Sequence, residues 1–73
     1  MAQERVEVPI AGRIINVYVE VGDEVKEGDT LCLLESMKME NPILAPVSGT
    51  IVKVEVSPEQ VVEAGDLIVV IAY

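Results

Sequence analysis

The stretch Glu35-Ser36-Met37-Lys38-Met39-Glu40-Asn41 lies at the middle of a chain of 73 residues. It is a short polar break between two apolar runs, residues 31–34 and 42–47. Two runs of strand character separated by such a break are typical of a β-hairpin. The sequence therefore predicts that Lys38 lies in a hairpin turn, with its amine in solvent.

An internal repeat surrounds this stretch. A shift of 37 residues places positions 9–34 on positions 46–71 without a gap, with eight identical pairs and several more that are apolar in both halves. The shared glycines indicate turns with positive φ or close approaches between strands. The repeat predicts two facing sheets of about four strands each, related by a pseudo-twofold axis. The identical pairs are Pro9/Pro46, Gly12/Gly49, Ile14/Ile51, Val17/Val54, Val19/Val56, Val25/Val62, Gly28/Gly65 and Asp29/Asp66.

The repeat also locates the turn. Lys38 falls at the joint between the halves, and its equivalent position would lie beyond Tyr73. We therefore expect Lys38 at one end of the molecule and both termini near the other. The repeat fails where Gly22-Asp23 aligns with Glu59-Gln60, so those two turns are expected to differ in shape.

The remaining pattern is that of one small all-β domain. Apolar and polar residues alternate over 15–21 and 51–56, and no segment has a helical period. The length allows a single core. Residues 1–5 are polar and are expected to form a disordered N-terminal tail. The domain is predicted to span residues 6–73.

Charge and composition exclude several classes of protein. The chain has 13 acidic and five basic residues, a net charge of −8, which disfavours nucleic acid and anionic membrane surfaces as partners. No apolar run reaches transmembrane length. The N-terminal residues lack the basic and apolar regions of a signal peptide. We expect a cytoplasmic protein that does not insert into membranes.

The residues offer little chemistry for autonomous catalysis. Histidine is absent, which excludes the Ser-His-Asp and Cys-His arrangements and the usual zinc ligand sets. The glycines are too scattered to form a phosphate-binding loop. The only cysteine, Cys32, lies in an apolar run and is expected to be a small core residue. Neither an enzyme nor a metal site is predicted.

Lys38 offers a different chemistry. A free lysine amine is an ammonium at neutral pH, so a partner enzyme must deprotonate it and supply an activated acyl group. An acylated lysine loses its charge and becomes the root of a flexible arm. The alternative is an ordinary exposed turn lysine. Met37 and Met39 are adaptable side chains typical of recognition surfaces, and the alternative for them is core filling. Met37 and Met39 are two positions apart, so their side chains are expected on the same face of the hairpin. Both then point into the core or both point into solvent.

These residues resemble a known family. The sequence from Glu35 to Glu40 is similar to the Glu-Ala-Met-Lys-Met signature of biotinyl domains, the biotin carboxyl carrier proteins of the biotin/lipoyl attachment family. The resemblance covers nearly the whole chain, from about Val8 to Ala72. It includes Pro9-Ile10-Ala11-Gly12, Gly22-Asp23-Glu24-Val25, Glu27-Gly28-Asp29, Ala45-Pro46-Val47-Ser48-Gly49 and Gly65-Asp66-Leu67.

The resemblance implies a flattened β-barrel or sandwich of two four-stranded antiparallel sheets, the barrel-sandwich hybrid. It implies that an ATP-dependent biotin–protein ligase attaches biotin to Lys38 as an amide. A biotin carboxylase then carboxylates the biotin, and a carboxyltransferase passes the carboxyl group to an acceptor. A decarboxylase or transcarboxylase subunit is the alternative source of the carboxyl group. Met37 and Met39 would be recognition residues, and Glu35 would support ligase docking. By the same resemblance the chain is a non-catalytic carrier and a monomer in isolation.

Two departures accompany the resemblance. Ser36 replaces the usual alanine, a small change that fits a turn but could slow the ligase or a later partner. The first half carries no insertion for the protruding thumb of some acetyl-CoA carboxylase carriers, which favours a thumbless type. Two alternatives remain open. A lipoyl domain also carries its cofactor on a turn lysine, but typically has Asp before it and Ala after it. An unmodified β-sandwich adaptor would bind its partners without any acylation of Lys38.

Overall fold

The protein is formed by β-strands alone. The computed structural model describes residues Met1–Tyr73 and contains eight strands and no helix. No helical segment long and apolar enough to cross a membrane is therefore present. The predicted all-β class is confirmed. The strands are β1 Gln3–Glu7, β2 Gly12–Val17, β3 Glu24–Val25, β4 Thr30–Ser36, β5 Met39–Leu44, β6 Gly49–Val54, β7 Val61–Val62 and β8 Leu67–Ala72.

The strands form two four-stranded sheets in which all neighbours are antiparallel. One sheet has the order β1-β8-β6-β3 and the other the order β5-β4-β2-β7. A shift of 37 residues superposes the bounds of β2 on β6 and of β3 on β7, and pairs β1 with β5 and β4 with β8. The shift exchanges one sheet for the other, as a pseudo-twofold axis between them requires. The predicted two-sheet sandwich is confirmed.

The core repeats the same symmetry. It is one cluster of 15 buried apolar residues drawn from both sheets. Nearly every member has its counterpart 37 positions away in the same cluster, because equivalent strands present equivalent inward faces. Small branched side chains suit such a thin layer, since they interdigitate closely between twisted sheets. The fully buried pairs include Ile14/Ile51, Leu31/Ile68, Cys32/Val69 and Leu34/Ile71.

The repeated glycines serve both predicted purposes. Gly28 and Gly65 lie in turns with φ of +92° and +93°, the left-handed region that favours glycine. Gly12 and Gly49 have another role. A Cβ atom would lie 2.2 Å from the carbonyl oxygen of Glu35 at Gly12, and 2.2 Å from that of Ala72 at Gly49. These two positions admit glycine alone because a neighbouring strand passes directly over them.

The prediction of a disordered tail over residues 1–5 was wrong. Gln3–Glu7 forms the edge strand β1, which pairs with β8 from Gln3↔Ala72 onward. The amide of Ala2 donates to the carbonyl of Tyr73 at 3.0 Å, and Tyr73 returns the bond at 2.9 Å. Only Val6 of this strand is buried, so its side chains show no apolar alternation. Backbone pairing with β8 orders it instead.

The expected difference between two turns was also wrong. Gly22 and Glu59 both have positive φ, 99° and 75°. The amide of Gly22 donates to Ile51 at 2.8 Å, and that of Glu59 donates to Ile14 at 2.7 Å. The side chains that follow, Asp23 and Gln60, each accept a backbone N–H three residues earlier, at 2.9 and 3.0 Å. The two turns share one shape because an amide oxygen can replace a carboxylate as acceptor.

The two ends of the molecule follow from this topology. The molecule measures 36 × 18 × 17 Å. Strand β1 begins beside Tyr73 and leads into residues 9–11, whose Ala11 carbonyl accepts a hydrogen bond from Ser36 in the β4–β5 hairpin. The termini therefore lie at one end of the sandwich and Lys38 at the other, as the repeat predicts.

Candidate functional site

The site is the tip of the hairpin formed by β4 and β5. The last strand pair is Ser36↔Met39, which leaves a turn of two residues, Met37 and Lys38. Their φ values are 54° and 64°. Positive φ at both central residues defines the type I′ turn, whose twist matches antiparallel strands and which usually contains Asn-Gly. The hairpin prediction is confirmed, although the residues in the turn are poor formers of that geometry.

The turn leaves Lys38 free of partners. The side chain is exposed, and the three salt bridges of the protein involve only Arg5 and Arg13 as cations. Lys38 also makes none of the side-chain hydrogen bonds of the chain. A large group attached to this amine would therefore displace no interaction of the fold.

Both methionines point into solvent. Met37 is 82% exposed and Met39 is 65% exposed, whereas the core excludes both. Core filling is therefore excluded for them. Soft, flexible side chains on the surface can adapt to differently shaped partners. The tip combines a free amine with two apolar contacts.

Ser36 faces the body of the protein. It is 8% exposed, and its hydroxyl donates to the carbonyl oxygen of Ala11 at 2.9 Å. The bond joins the base of the turn to the loop after β1, which belongs to the other sheet. A serine in place of alanine is thus accommodated, because its only polar group has a buried partner. It anchors the tip and is not part of the exposed surface.

Glu35 takes part in a salt bridge that the sequence pattern does not reveal. Strand pairing places it opposite Glu40 on one side and opposite Arg13 on the other. Two carboxylates directly opposite each other repel. The guanidinium of Arg13 compensates, since it donates to Glu35 at 2.9 Å and also pairs with Glu59. The hydrogen bond that Arg13 donates to Glu35 raises the pKa of Arg13 most, and the negative charge of Glu59 raises it further.

These contacts divide the predicted site residues into two groups. Lys38, Met37 and Met39 form one exposed surface at the tip. Ser36 and Glu35 lie beneath it and contact the fold instead. Arg13 was missed because its position opposite Glu35 depends on strand register and on a bulge in β2, which the sequence does not specify. No acid or base at the tip contacts the amine, so the arrangement offers an attachment point and no catalytic apparatus.

Comparison with known families identifies the class of protein. The family model described as "Biotin-requiring enzyme", the biotin/lipoyl family, matches residues 4–71. The chain therefore belongs to the biotin/lipoyl attachment family. Among solved structures, the urea carboxylase of Kluyveromyces lactis contains a similar domain, with a TM-score of 0.89 and 35% identity. That match covers 99% of this chain and 6% of the carboxylase.

Proteins of similar sequence indicate the biotin branch of this family. The chain is 51% identical over 69 residues to the biotinylated protein TB7.3 homolog of Mycobacterium leprae (strain TN), covering 94% of this chain and 97% of that protein. It is 48% identical over 64 residues to the biotin carboxyl carrier protein of Streptococcus mutans. That match covers 88% of this chain but only 49% of the carrier protein. The chain is a biotin carboxyl carrier domain, homologous to the non-catalytic biotinyl domains of biotin-dependent carboxylases.

Proposed function

We propose that Lys38 is the residue that carries biotin, and that the domain moves a carboxyl group between two enzyme sites. The observation that carries this assignment is the free, exposed amine in a type I′ turn between two exposed methionines. Only two other lysines exist, Lys26 and Lys53, and neither lies in a hairpin turn. When bound, biotin supplies a group that accepts and releases carboxyl.

The residues of the chain divide the work of attachment and transport. The Lys38 nitrogen forms an amide with the carboxyl carbon of biotin, which a biotin–protein ligase has activated with ATP, and the ATP-derived group leaves as that bond forms. The amide nitrogen keeps one proton and the ligase site accepts the others, since the hairpin has no base in contact with the nitrogen. Met37 and Met39 provide apolar contacts for the ligase and for the biotin carboxylase. Ser36 keeps the turn in place during these encounters through its bond to Ala11.

The partners follow from the family. Homologous domains lie within carboxylases, so a biotin carboxylase and a carboxyltransferase are the enzymes served by the arm. We propose the cytoplasm as the compartment and a monomer as the state of the isolated domain. The edges of the sheets support a monomer: β1 carries charges, β5 contains Pro42, and β3 and β7 have only two residues each. Such edges resist pairing with a second sheet.

A mass measurement tests the attachment site. The chain is incubated with a biotin–protein ligase, biotin and ATP, and its intact mass is measured. We expect one biotin on the native chain and none on Lys38→Arg, which keeps the positive charge and the fold. Lys53→Arg is the matched control and should accept one biotin, because Lys53 lies within strand β6.

Other outcomes would replace the proposal. Biotin on Lys38→Arg would move the site to another lysine. Modification by a lipoate ligase but not by the biotin ligase would favour a lipoyl carrier. No modification by either ligase, with partner binding that survives Lys38→Ala, would leave an adaptor.

A further inference from the structure

A groove lies beside the tip, on the inner side of the β4–β5 hairpin. Its volume is about 270 Å³, and its floor includes the buried residues Leu34 and Ile43. Its walls include Met37 and Met39 from the hairpin, and Ile10 from the loop after β1. The groove thus begins at the two neighbours of Lys38 and extends along the gap between the hairpin and the other sheet.

The fold itself does not require this groove. At the opposite end, the pseudo-twofold axis places Ala2 where Met39 stands and Glu4 where Asn41 stands, and Met37 has no counterpart. No corresponding groove exists there, and the only other cavity is a polar one lined by residues 24–27 and 48–50. The apolar walls therefore belong to the end that carries Lys38.

We propose that the groove is a resting site for the biotin group attached to Lys38, an inference that rests on the proposed function. Biotin has an aliphatic chain and a neutral bicyclic ring with one urea group. Ile10, 43% exposed, and the two methionines would contact the apolar part. Asn41 lines the groove and donates its amide N–H groups within the hairpin, at 3.3 and 3.5 Å, while its Oδ1 has no partner in the chain. That oxygen can accept a urea N–H.

The binding has to be weak, and the tether makes weak binding sufficient. The groove is smaller than the roughly 300–1,000 Å³ of pockets that enclose drug-sized ligands. A ligand on a short tether has an effective concentration in the millimolar range. A dissociation constant of about 1 mM for the free group would therefore occupy the groove about half of the time. Such an equilibrium leaves the arm available to partner enzymes. It also shields the ring from solvent between encounters.

Chemical shifts of the biotinylated domain test the resting site. We compare amide ¹H–¹⁵N spectra of three forms of the full chain: unmodified, acetylated at Lys38, and biotinylated at Lys38. Acetylation removes the charge without adding a ring, so it reports the effects of acylation alone. Only the biotinylated form should change the signals of Ile10 and the side-chain amide of Asn41. Those changes should shrink at least twofold in Ile10→Asn and persist in Leu44→Asn, an exposed residue of β5 outside the groove.

The result separates two failures. If the ligase adds no biotin to Lys38, the proposed function is wrong and the groove has no tethered ligand. If biotin is added but the changes equal those of the acetylated form, confined to residues 36–40, the arm is free in solution and the resting site does not exist. Equal changes in Ile10→Asn and the native chain would also overturn it.

Discussion

The two ends of this sandwich share one backbone and differ in what they carry. The pair Ser36↔Met39 at the hairpin corresponds to the hydrogen-bonded pair of Tyr73 and Ala2 at the termini, since Tyr73 lies 37 positions after Ser36 and Ala2 lies 37 positions before Met39. At the hairpin end, Met37 and Lys38 join the two strands. At the other end, the two strands are not joined and contain the termini of the chain. The same sheet geometry thus presents a lysine in a closed turn at one end only.

The difference shows which features belong to the fold and which to the site. Features present at both ends, such as the close approaches at Gly12 and Gly49, are requirements of the sandwich. Features present at one end only are the left-handed Met-Lys turn, the Arg13–Glu35 salt bridge, the Ser36 anchor and the apolar groove. All of them surround Lys38. Substitutions at equivalent positions of the two halves can therefore distinguish the features that the sandwich requires from the features found only around Lys38.

The largest effect is expected at the paired glycines. Gly12→Ala and Gly49→Ala each place a Cβ 2.2 Å from a backbone oxygen of the neighbouring strand, so the strands must separate. Each should lower the free energy of unfolding by about 3 kcal/mol. Chemical denaturation of both variants measures this, and their losses should agree. Gly28→Ala is the control, since nothing lies within 4 Å of its Cβ and only φ is strained; it should cost about 1 kcal/mol. Unequal losses at the two glycines would contradict the equivalence of the halves.

A second effect concerns the core pair Cys32 and Val69, both fully buried. Burial raises the pKa of the Cys32 thiol from its ordinary value of 9.0 to about 11. Well below pH 9 the thiol is protonated in both states and stability is unaffected. Between pH 9 and 11 the unfolded chain releases this proton and the folded chain keeps it, so stability falls as pH rises. The loss should reach roughly 2–3 kcal/mol at pH 11.

Cys32→Val isolates the contribution of the thiol, because valine does not ionise. Valine also fits this site, since Val69 is the equivalent core residue in β8. Denaturation at pH 8 and pH 11 should show a loss for the native chain that exceeds the loss for the variant by roughly 2–3 kcal/mol. The two proteins differ only at position 32, so every other contribution cancels in the difference. Cys32→Ala should give the same difference from a lower starting stability. If the free energy of unfolding changed with pH equally in the native chain and both variants, the thiol would ionise as easily in the folded protein as in the unfolded chain. That result would contradict the raised pKa.

The smallest effect is expected at the turn. Met37 has φ of 54°, a conformation that most side chains disfavour and asparagine tolerates. Met37→Asn should raise the free energy of unfolding by about 0.5–1 kcal/mol. Met39→Asn is the matched control, since Met39 is exposed but lies outside the positive-φ positions, and it should bring no gain. Thermal or chemical denaturation measures both. A gain that is equal in the two variants would mean that polarity, and not turn strain, limits this hairpin.

Sequence reasoning was most successful where a pattern repeats. The 37-residue repeat predicts two equivalent sheets and the positions of their turns, because equal halves need equal glycines and equal inward faces. It failed where side chains carry no pattern. The edge strand β1 buries only Val6, and β3 and β7 are two residues long, so backbone pairing alone defines them. The turns at Gly22 and Glu59 likewise share one shape although their residues differ.

The sequence by itself determined the all-β class, the pseudo-symmetry and the placement of Lys38 in a turn between two methionines, since these depend on local pattern and spacing. The tertiary structure alone decided what surrounds the turn. Arg13 reaches Glu35 through the register of β2 against β4, and Ser36 reaches Ala11 across the gap between the sheets. Ile10 and Asn41 border one groove although 31 positions separate them. Contacts between distant positions depend on register and sheet packing, which no local pattern encodes.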